Sequence, residues 1–317
     1  MIEEKRRNSN EKGLNVLSLF DGISCGRVAL ERTGIKIANY YASEIKKPAI
    51  GVTMSNYPDT IQIGDVTKVH YENGILHTEN GDFNIGHIDL LIGGSPCQNF
   101  SLARATDNLE IDGLEGDKSK LFYEYLRIKH EVDPTYFLLE NVKMKKESES
   151  DLNTYMGVNG LHINSSLVSY QNRPRIYWTN IPGVEIPEDR NIDFQDYMDR
   201  EFEYCKQFKL KDTPSRRKYW MNGNGNNSAM GGCKNVTHAH KIQTLTRKQD
   251  RCPNSGLIEF DGFARFLTRR EIELAQTLPV GYTNLLSYNQ MQDVCGDGWT
   301  VDVIAHIFGF LKKDLEN

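Results

Sequence analysis

The feature that most constrains the fold is the alternation, over the first half of the chain, of short apolar runs with stretches of helical character. The runs read LNVLSLF, KIANYYAS, TIQIGD, IDLLIG and TYFLLEN, at residues 14–20, 36–43, 60–65, 88–93 and 135–141. Their length and nearly continuous apolar character predict strands buried on both faces. Because strands that alternate with helices form parallel sheets, we expect an α/β fold with a doubly wound, mostly parallel sheet.

Local signals predict where the neighbouring elements begin and end. Gly34 is a C-cap for a helix over residues 24–33, and Pro48 suits the first turn of the helix that follows. Residues 167–183 are predicted to form two strands around a turn, and Thr268 with Glu271 forms a capping box.

Polar and glycine residues follow the first three strands. The segment Phe20-Asp21-Gly22-Ile23-Ser24 leads from a strand into a helix, where a glycine lets the backbone approach a ligand. An ordinary tight turn is the alternative interpretation. Glu44 follows the second strand, where an acidic residue is placed to bind ribose hydroxyls. Asp65 follows the third strand and could accept a hydrogen bond from an adenine amino group.

Cys97 stands just past the fourth strand, in LIGGSPCQNFS. A lone cysteine is most often structural, but Glu140 ends the next strand, so the two side chains are expected to face one crevice. A thiolate nucleophile beside a proton-donating carboxyl is a workable pair for attack on a polarisable ring. Arg173 and Arg175, in QNRPR, add two charges suited to phosphate or a base carbonyl, unless they are surface arginines around a turn.

Taken in order, these segments resemble the DNA cytosine carbon-5 methyltransferases. FDGISCG is similar to the family's first motif, SPCQ to its nucleophile motif, ENV to its glutamate motif and QNRPR to its paired-arginine motif. RFLTRRE and CGDGWTVDVIAHIF are similar to the last two. The resemblance covers about residues 14–311 and is closest to the catalytic domain of the animal de novo enzymes. It implies the Rossmann-like class I methyltransferase fold. Because a chain of this length has no room for chromatin-reading modules, we expect a bacterial or phage enzyme.

The resemblance also implies the catalytic roles. Cys97 would attack carbon 6 of a flipped-out cytosine while Glu140 holds and protonates ring nitrogen N3, so that carbon 5 receives the methyl group of S-adenosylmethionine. Arg175 would hold the cytosine carbonyl oxygen, and Arg173 would support it and a nearby phosphate. The products would be 5-methylcytosine and S-adenosylhomocysteine.

S-adenosylmethionine is the implied cofactor. Phe20 would lie against adenine, Glu44 would bind the ribose, and Asp65 would frame the adenine. Two positions depart from the commoner pattern: Asp21 replaces a small residue, as in the de novo group, and Asp297 stands where many bacterial relatives have asparagine. The full set implied to bind the cofactor is Phe20, Asp21, Gly22, Ile23, Ser24, Glu44, Ile45, Asp65, Val66, Pro96, Leu121, Asp297, Gly298 and Trp299.

Charge is divided unevenly along the chain, although the net charge is only −5. Residues 206–251 hold eleven basic and two acidic side chains, which suits a polyanion, although a solvated surface is the alternative. We expect residues 182–263 to form a small target-recognition domain for double-stranded DNA. It would be inserted in a catalytic domain of residues 14–181 and 264–317, with residues 1–13 as a flexible N-terminus and residues 101–120 as a lid. Candidate DNA contacts are Gln98, Ser101, Lys234, Asn235, Arg247 and Arg251.

Several classes of protein are disfavoured. No run approaches the roughly 18 uncharged apolar residues of a membrane span, and the first dozen residues are charged, which predicts a cytoplasmic protein without a membrane partner. The six cysteines are scattered without a CxxC pair, so no metal is expected.

Two alternatives stay open. The tRNA-methylating branch of the family uses the same chemistry, but its Cys-Phe-Thr signature is absent here. The other is an inactive regulatory homologue that binds DNA, against which the presence of Cys97, Glu140 and both arginines argues. The recognised DNA sequence, the biological role and whether the protein is a homo-oligomer are not predicted.

Overall fold

The computed structural model describes residues 13–95, 120–214, 234–249 and 254–317. The chain divides into two compact units, of which the first comprises residues 1–163, 174–186 and 304–317 and the second comprises residues 164–173 and 187–303. The predicted catalytic and target-recognition domains are functional assignments and stay predictions. Their boundaries differ from these units, because residues 264–303 lie in the second unit.

The strands of the first unit include every run predicted from the sequence. They are β1 (Leu14–Leu19), β2 (Ile37–Ser43), β3 (Ile61–Gln62), β4 (His70–Glu72), β5 (Ile75–Thr78), β6 (Gly81–Asn84), β7 (Leu90–Gly93), β8 (Tyr136–Val142), β9 (Leu161–Asn164) and β10 (Pro174–Thr179). Seven of them form one sheet in the order β3-β2-β1-β7-β8-β10-β9. Neighbours from β3 to β8 are parallel and β10 is antiparallel to β8, which confirms the predicted α/β, mostly parallel sheet.

Three helix boundaries coincide with signals predicted from the sequence. The helices are α1 (Cys25–Thr33), α2 (Lys47–Asn56), α3 (Lys120–Val132), α4 (Lys146–Met156), α5 (Phe194–Tyr197), α6 (Phe202–Lys206), α7 (Arg269–Ala275), α8 (Tyr288–Asp297) and α9 (Val301–Glu316). Gly34 caps α1 in the left-handed conformation, and Pro48 lies in the first turn of α2. The capping box of Thr268 and Glu271 begins α7. These three predictions are confirmed.

Two parts of the fold differ from expectation. Strands β4, β5 and β6 form a separate antiparallel sheet that no sequence signal predicted. The predicted pair of strands in residues 167–183 is half wrong, because only Pro174–Thr179 is a strand. Gln171 makes just an isolated bridge with Ile242, and its fully buried side chain is hydrogen-bonded within the second unit.

One apolar face of the last helix is buried. Val303, Ile304, Ile307, Phe308 and Leu311 of α9 are all 0% exposed. By length and mean hydropathy, 1.2 over its most apolar window, the span Tyr288–Glu316 could cross a membrane. Half of that window is buried inside the protein, as in the core helix of a soluble fold, so it is weak support for a membrane span.

A fully buried ion pair lies in the core of the second unit. Arg265 ends β12 (Phe263–Arg265), which pairs with β11 (Ile258–Phe260), and its guanidinium makes two 2.8 Å contacts with the carboxylate of Glu271. Both side chains are 0% exposed. The backbone N–H groups of Asp199 and Thr268 also donate to Glu271, at 2.8 and 2.7 Å. The carboxylate therefore replaces its water shell with fixed donors.

We expect Arg265→Met to lower the free energy of unfolding by roughly 3–5 kcal/mol, because it leaves a buried carboxylate without its counter-charge. Urea-induced unfolding followed by circular dichroism measures this. The double variant Arg265→Met/Glu271→Leu should recover part of the loss, since neither charge is then buried. Arg190→Met, which removes a half-exposed partner of Asp302, should cost less than about 1 kcal/mol. A double variant no more stable than the single one would contradict this account.

Candidate active site

The loop after β1 has an unusual backbone. Phe20, Gly22 and Ser24 have positive φ angles of 56°, 61° and 57°. Because left-handed backbone is costly for the two non-glycine residues, it persists only where the surroundings fix it, as they do at many ligand sites. Among the described residues other than Gly22 and its two chain neighbours, no heavy atom lies within 4 Å of the position that a Cβ at Gly22 would take. The loop therefore leaves open space at the carboxyl end of the central strand.

Asp21 and Glu44 hold this loop. The Asp21 carboxylate accepts from Ser24 Oγ at 2.5 Å and from Tyr40 OH at 2.8 Å. Removal of this partly buried carboxylate from water raises its pKa, although hydrogen bonds from Ser24, Ser18 and Tyr40 oppose the rise. Glu44 Oε2 accepts from the Gly22 N–H at 2.9 Å, so the predicted ribose-binding carboxylate sits against the glycine loop.

Glu44 is also fixed by its own backbone. Its Oε1 accepts from the N–H groups of Ile45 and Lys46, at 2.8 and 2.9 Å. A carboxylate has about four lone-pair sites, so three N–H donors leave it able to accept from a hydroxyl. The Ile45 side chain is 67% exposed beside it. An oriented acceptor and an exposed apolar side chain suit a nucleoside ligand.

Asp65 is held by a residue that sequence reasoning missed. Its Oδ1 accepts from the Thr67 N–H and caps the short turn Val66–Lys68. Its own N–H donates to Glu79 Oε1 at 2.9 Å, and Glu79 Oε2 accepts from Lys68 at 2.7 Å. Glu79 lies between β5 and β6, in the unpredicted sheet, and no motif marked it. The backbone beside the predicted adenine site is therefore set by a distant turn.

Glu140 and Arg175 form the candidate catalytic pair. Glu140 lies near the carboxyl end of β8, and Arg175 near the start of the antiparallel β10. Arg175 Nε lies 2.8 Å from Glu140 Oε1, and the two side chains are only 13% and 11% exposed. This contact places a fixed cation and a carboxyl side by side near the carboxyl end of β8.

The strand that leads to Cys97 is next to β8. Strands β7 and β8 are parallel neighbours, with Gly93 opposite Leu139. Asn141 Nδ2 donates to Ser95 Oγ at 3.2 Å, which ties the end of β8 to the start of the SPCQ segment. The predicted adjacency of the two strands is confirmed. Pro96, Cys97, Gln98 and Ser101 lie outside the described residues, as do residues 101–119 of the predicted lid.

The two arginines of QNRPR belong to different units. Arg175 is in the first unit, whereas Arg173 is in the second and 3% exposed. Arg173 donates to three backbone carbonyls, those of Leu245, Gly296 and Gly298, at 2.8 to 2.9 Å. These contacts were not expected from the sequence, which suggested support for Arg175 and phosphate.

The remaining predicted cofactor residues are divided between the two units. Leu121, on α3, is partly buried against the core of the first unit. Asp297, Gly298 and Trp299 lie at the end of α8 in the second unit, where Trp299 is 9% exposed. Their predicted role in binding the cofactor stays a prediction.

The predicted DNA contacts lie partly on the surface of the second unit. Lys234 is exposed, whereas Asn235 Oδ1 is occupied by the N–H and hydroxyl of Thr237. Arg247 has a 42% exposed side chain, 3.7 Å from Asp297. Arg251 lies outside the described residues. Within the parts of the chain that the structure describes, no group of three or more His, Cys, Asp or Glu side chains could hold a metal.

Comparison with known proteins shows matching sequences and folds. The DNA (cytosine-5)-methyltransferase DRM2 of Arabidopsis thaliana is 39% identical over 121 residues, 37% of this chain and 18% of that protein. The orphan methyltransferase M.Rho11sI of Bacillus phage rho11s is 35% identical over 132 residues, 41% of this chain and 23% of that protein. The chain thus matches about a fifth of the length of these relatives.

Solved structures share the fold over nearly the whole chain. The S. pombe Dnmt2 methyltransferase has a TM-score of 0.69 at 16% identity, over 96% of this chain and 100% of that one. A Spodoptera frugiperda DNMT2 mutant has a TM-score of 0.63 at 16% identity, over 95% and 99% of the two chains. The family model of the C-5 cytosine-specific DNA methylases matches residues 14–313. The predicted family resemblance is therefore confirmed: this chain belongs to the C-5 cytosine-specific DNA methylase family.

Proposed function

We propose that this protein methylates carbon 5 of cytosine in double-stranded DNA, with S-adenosylmethionine as methyl donor. The observation that carries the proposal is the Arg175–Glu140 contact of 2.8 Å at the end of the strand next to the one leading to Cys97. In cytosine the carbonyl oxygen O2 and nitrogen N3 are adjacent. A guanidinium and a carboxyl side by side match these two atoms.

The residues near β1 suit the cofactor. The loop Phe20–Ser24 leaves room at Gly22, and Glu44 presents a carboxylate held by Gly22, Ile45 and Lys46. These features fit the adenosine part of S-adenosylmethionine, with Glu44 on the ribose hydroxyls and Asp65 and Val66 at the adenine. When bound, S-adenosylmethionine supplies a methyl group attached to a positively charged sulfur.

The chain's own residues carry the covalent steps. The Cys97 thiolate forms a bond to carbon 6 while Glu140 gives its proton to N3, so the electron pair of the C5–C6 double bond becomes available at carbon 5. After carbon 5 has been methylated, its proton is lost to a base as the C6–S bond breaks, which restores the C5–C6 double bond and releases the Cys97 thiolate. N3 then returns its proton to the Glu140 carboxylate, which leaves neutral 5-methylcytosine and regenerates Glu140. Arg175 holds O2 and orients Glu140 throughout.

DNA would be engaged by both parts of the chain. A stacked cytosine must leave the duplex to reach Cys97, at a cost of a few kcal/mol. We assign target recognition to residues 182–263, where the exposed Lys234 and the partly exposed Arg247 would contact phosphate. Residues 14–181 and 264–317 would bind the cofactor and the flipped base.

A direct assay tests this function. The purified protein is incubated with methyl-labelled S-adenosylmethionine and, in parallel, duplex DNA, single-stranded DNA or tRNA, and the products are digested to nucleosides and identified by mass spectrometry. We expect label in 5-methyldeoxycytidine from duplex DNA. Label in tRNA alone would reassign the substrate. Binding of S-adenosylhomocysteine without transfer to any nucleic acid would indicate an inactive regulatory protein.

A further inference from the structure

The buried side chains of Gln171 and Arg173 have no role in the chemistry just described. They are 0% and 3% exposed. Both belong to the second unit, as do Leu245, Gln276, Gly296 and Gly298, to which they are hydrogen-bonded. Buried polar groups of this kind need fixed partners, and the partners show what the two side chains hold in place.

One side of this pair holds Leu245, in the predicted target-recognition region. Gln171 Oε1 accepts from the Leu245 N–H at 2.8 Å, and Arg173 Nη1 donates to the Leu245 carbonyl at 2.8 Å. Nearby, the Asn172 N–H donates to the Ile242 carbonyl, and Thr244 Oγ1 donates to the Asn172 carbonyl. Both backbone groups of Leu245 are thus fixed by side chains of the QNRPR motif.

The other side holds the turn that precedes Trp299. Arg173 Nη2 donates to the Gly296 and Gly298 carbonyls, at 2.9 and 2.8 Å. These carbonyls lie at the end of α8, where helical carbonyls lack partners and a cation is favourable. Gln276, which accepts from Gln171 at 3.1 Å, adds a hydrogen bond to the Gly298 carbonyl.

Close packing joins the two sides. A Cβ at Gly296 would lie 2.6 Å from the carbonyl carbon of Thr246, so the turn and the segment after Leu245 meet backbone to backbone. Arg173 fixes both. A guanidinium can do this because its donors form a rigid planar fork, whereas the ammonium of lysine is a single point.

We propose that Arg173 is a positioning residue, which holds Leu245 of the recognition region and Gly296–Gly298 ahead of Trp299 in one arrangement, and that it does not contact DNA phosphate. The inference rests on the proposed function for the roles of the recognition region and Trp299. Because the guanidinium is buried against three carbonyls, it cannot reach a phosphate without leaving them. Binding of S-adenosylhomocysteine should therefore depend on the fork of Arg173, not merely on its charge.

The test compares Arg173→Lys, Arg173→Gln and the control Arg247→Gln, each checked by circular dichroism. Calorimetry measures S-adenosylhomocysteine binding, and fluorescence anisotropy measures binding of duplex DNA across a series of salt concentrations. We expect roughly tenfold weaker S-adenosylhomocysteine binding in both Arg173 variants, because each substitution leaves buried carbonyls without their hydrogen-bond donors. The slope of log affinity against log salt should stay unchanged in them. In Arg247→Gln the magnitude of this slope should fall by about 0.9, because the variant makes one phosphate contact fewer.

Two results would overturn the inference: rescue of S-adenosylhomocysteine affinity by lysine, or a slope reduced by about 0.9 in Arg173→Gln. If the Arg173 variants do not fold, Gly296→Ala tests the same contact without changing charge and should weaken S-adenosylhomocysteine binding to a similar degree. Unchanged binding in that variant would also count against the inference. None of these readouts needs turnover, so an inactive wild-type protein would refute the proposed activity separately.

Discussion

Replacing Cys97 by serine should abolish methyl transfer, with turnover reduced on the order of 10⁴-fold or more. The thiolate is a strong nucleophile at neutral pH, whereas a serine hydroxyl is almost entirely protonated and has no adjacent base assigned to it. Label transfer from S-adenosylmethionine to duplex DNA measures the loss. Binding of S-adenosylhomocysteine should be retained, because the substitution changes one atom.

A covalent trap separates this role from a structural one. Duplex DNA with 5-fluorocytosine at the target should form a denaturation-resistant adduct with the native protein, since fluorine cannot leave carbon 5 as a proton does, and no adduct with Cys97→Ser. Cys205→Ala is the matched control: its thiol is buried, and burial raises its pKa, so it is a poor nucleophile. Undiminished turnover in Cys97→Ser would exclude the mechanism.

The strand positions could be predicted because their signals are local. Strands buried on both faces need continuous apolar runs, and LNVLSLF and TYFLLEN supply them in β1 and β8. Helix ends follow from single residues with defined chemistry, such as Gly34 after α1. The parallel order then brings strand ends together at one edge. Glu140 and the segment leading to Cys97 were expected on neighbouring strands for this reason, and β7 and β8 are neighbours.

The partners of individual side chains could not be predicted in the same way. Arg173 and Arg175 are the same residue type two positions apart, yet Arg175 pairs with Glu140 whereas Arg173 binds carbonyls 72, 123 and 125 residues away. Glu79 likewise reaches the backbone of Asp65 from a sheet with no sequence signal. A motif fixes residue types, but the partner of a buried polar group depends on which distant backbone lies beside it.

The second large effect is expected for Glu140→Gln, which should lower kcat by roughly 10²–10⁴-fold. Glutamine has nearly the shape of glutamate and can donate a hydrogen bond to N3, but its amide has no proton to transfer. Without protonation at N3, the electron pair that Cys97 displaces has no sink, and carbon 6 is a poor electrophile. Adduct formation with 5-fluorocytosine DNA should slow by a similar factor, because attack by Cys97 precedes methylation. Single-turnover kinetics with saturating cofactor measures both rates.

The control for Glu140→Gln must remove a carboxylate from an ion pair with arginine at a position that has no role in the proposed reaction. Glu131→Gln does so: Arg127 Nη1 lies 2.6 Å from Glu131 Oε1, in the same unit as Glu140. Its kcat should stay within about threefold of the native value, because Glu131, whose side chain is 25% exposed, has no role in the proposed chemistry. If both variants lost activity equally, the loss would reflect disturbed folding. If Glu140→Gln kept near-native kcat, the proton at N3 would have to come from another group, and the Arg175–Glu140 contact would serve only to orient Arg175.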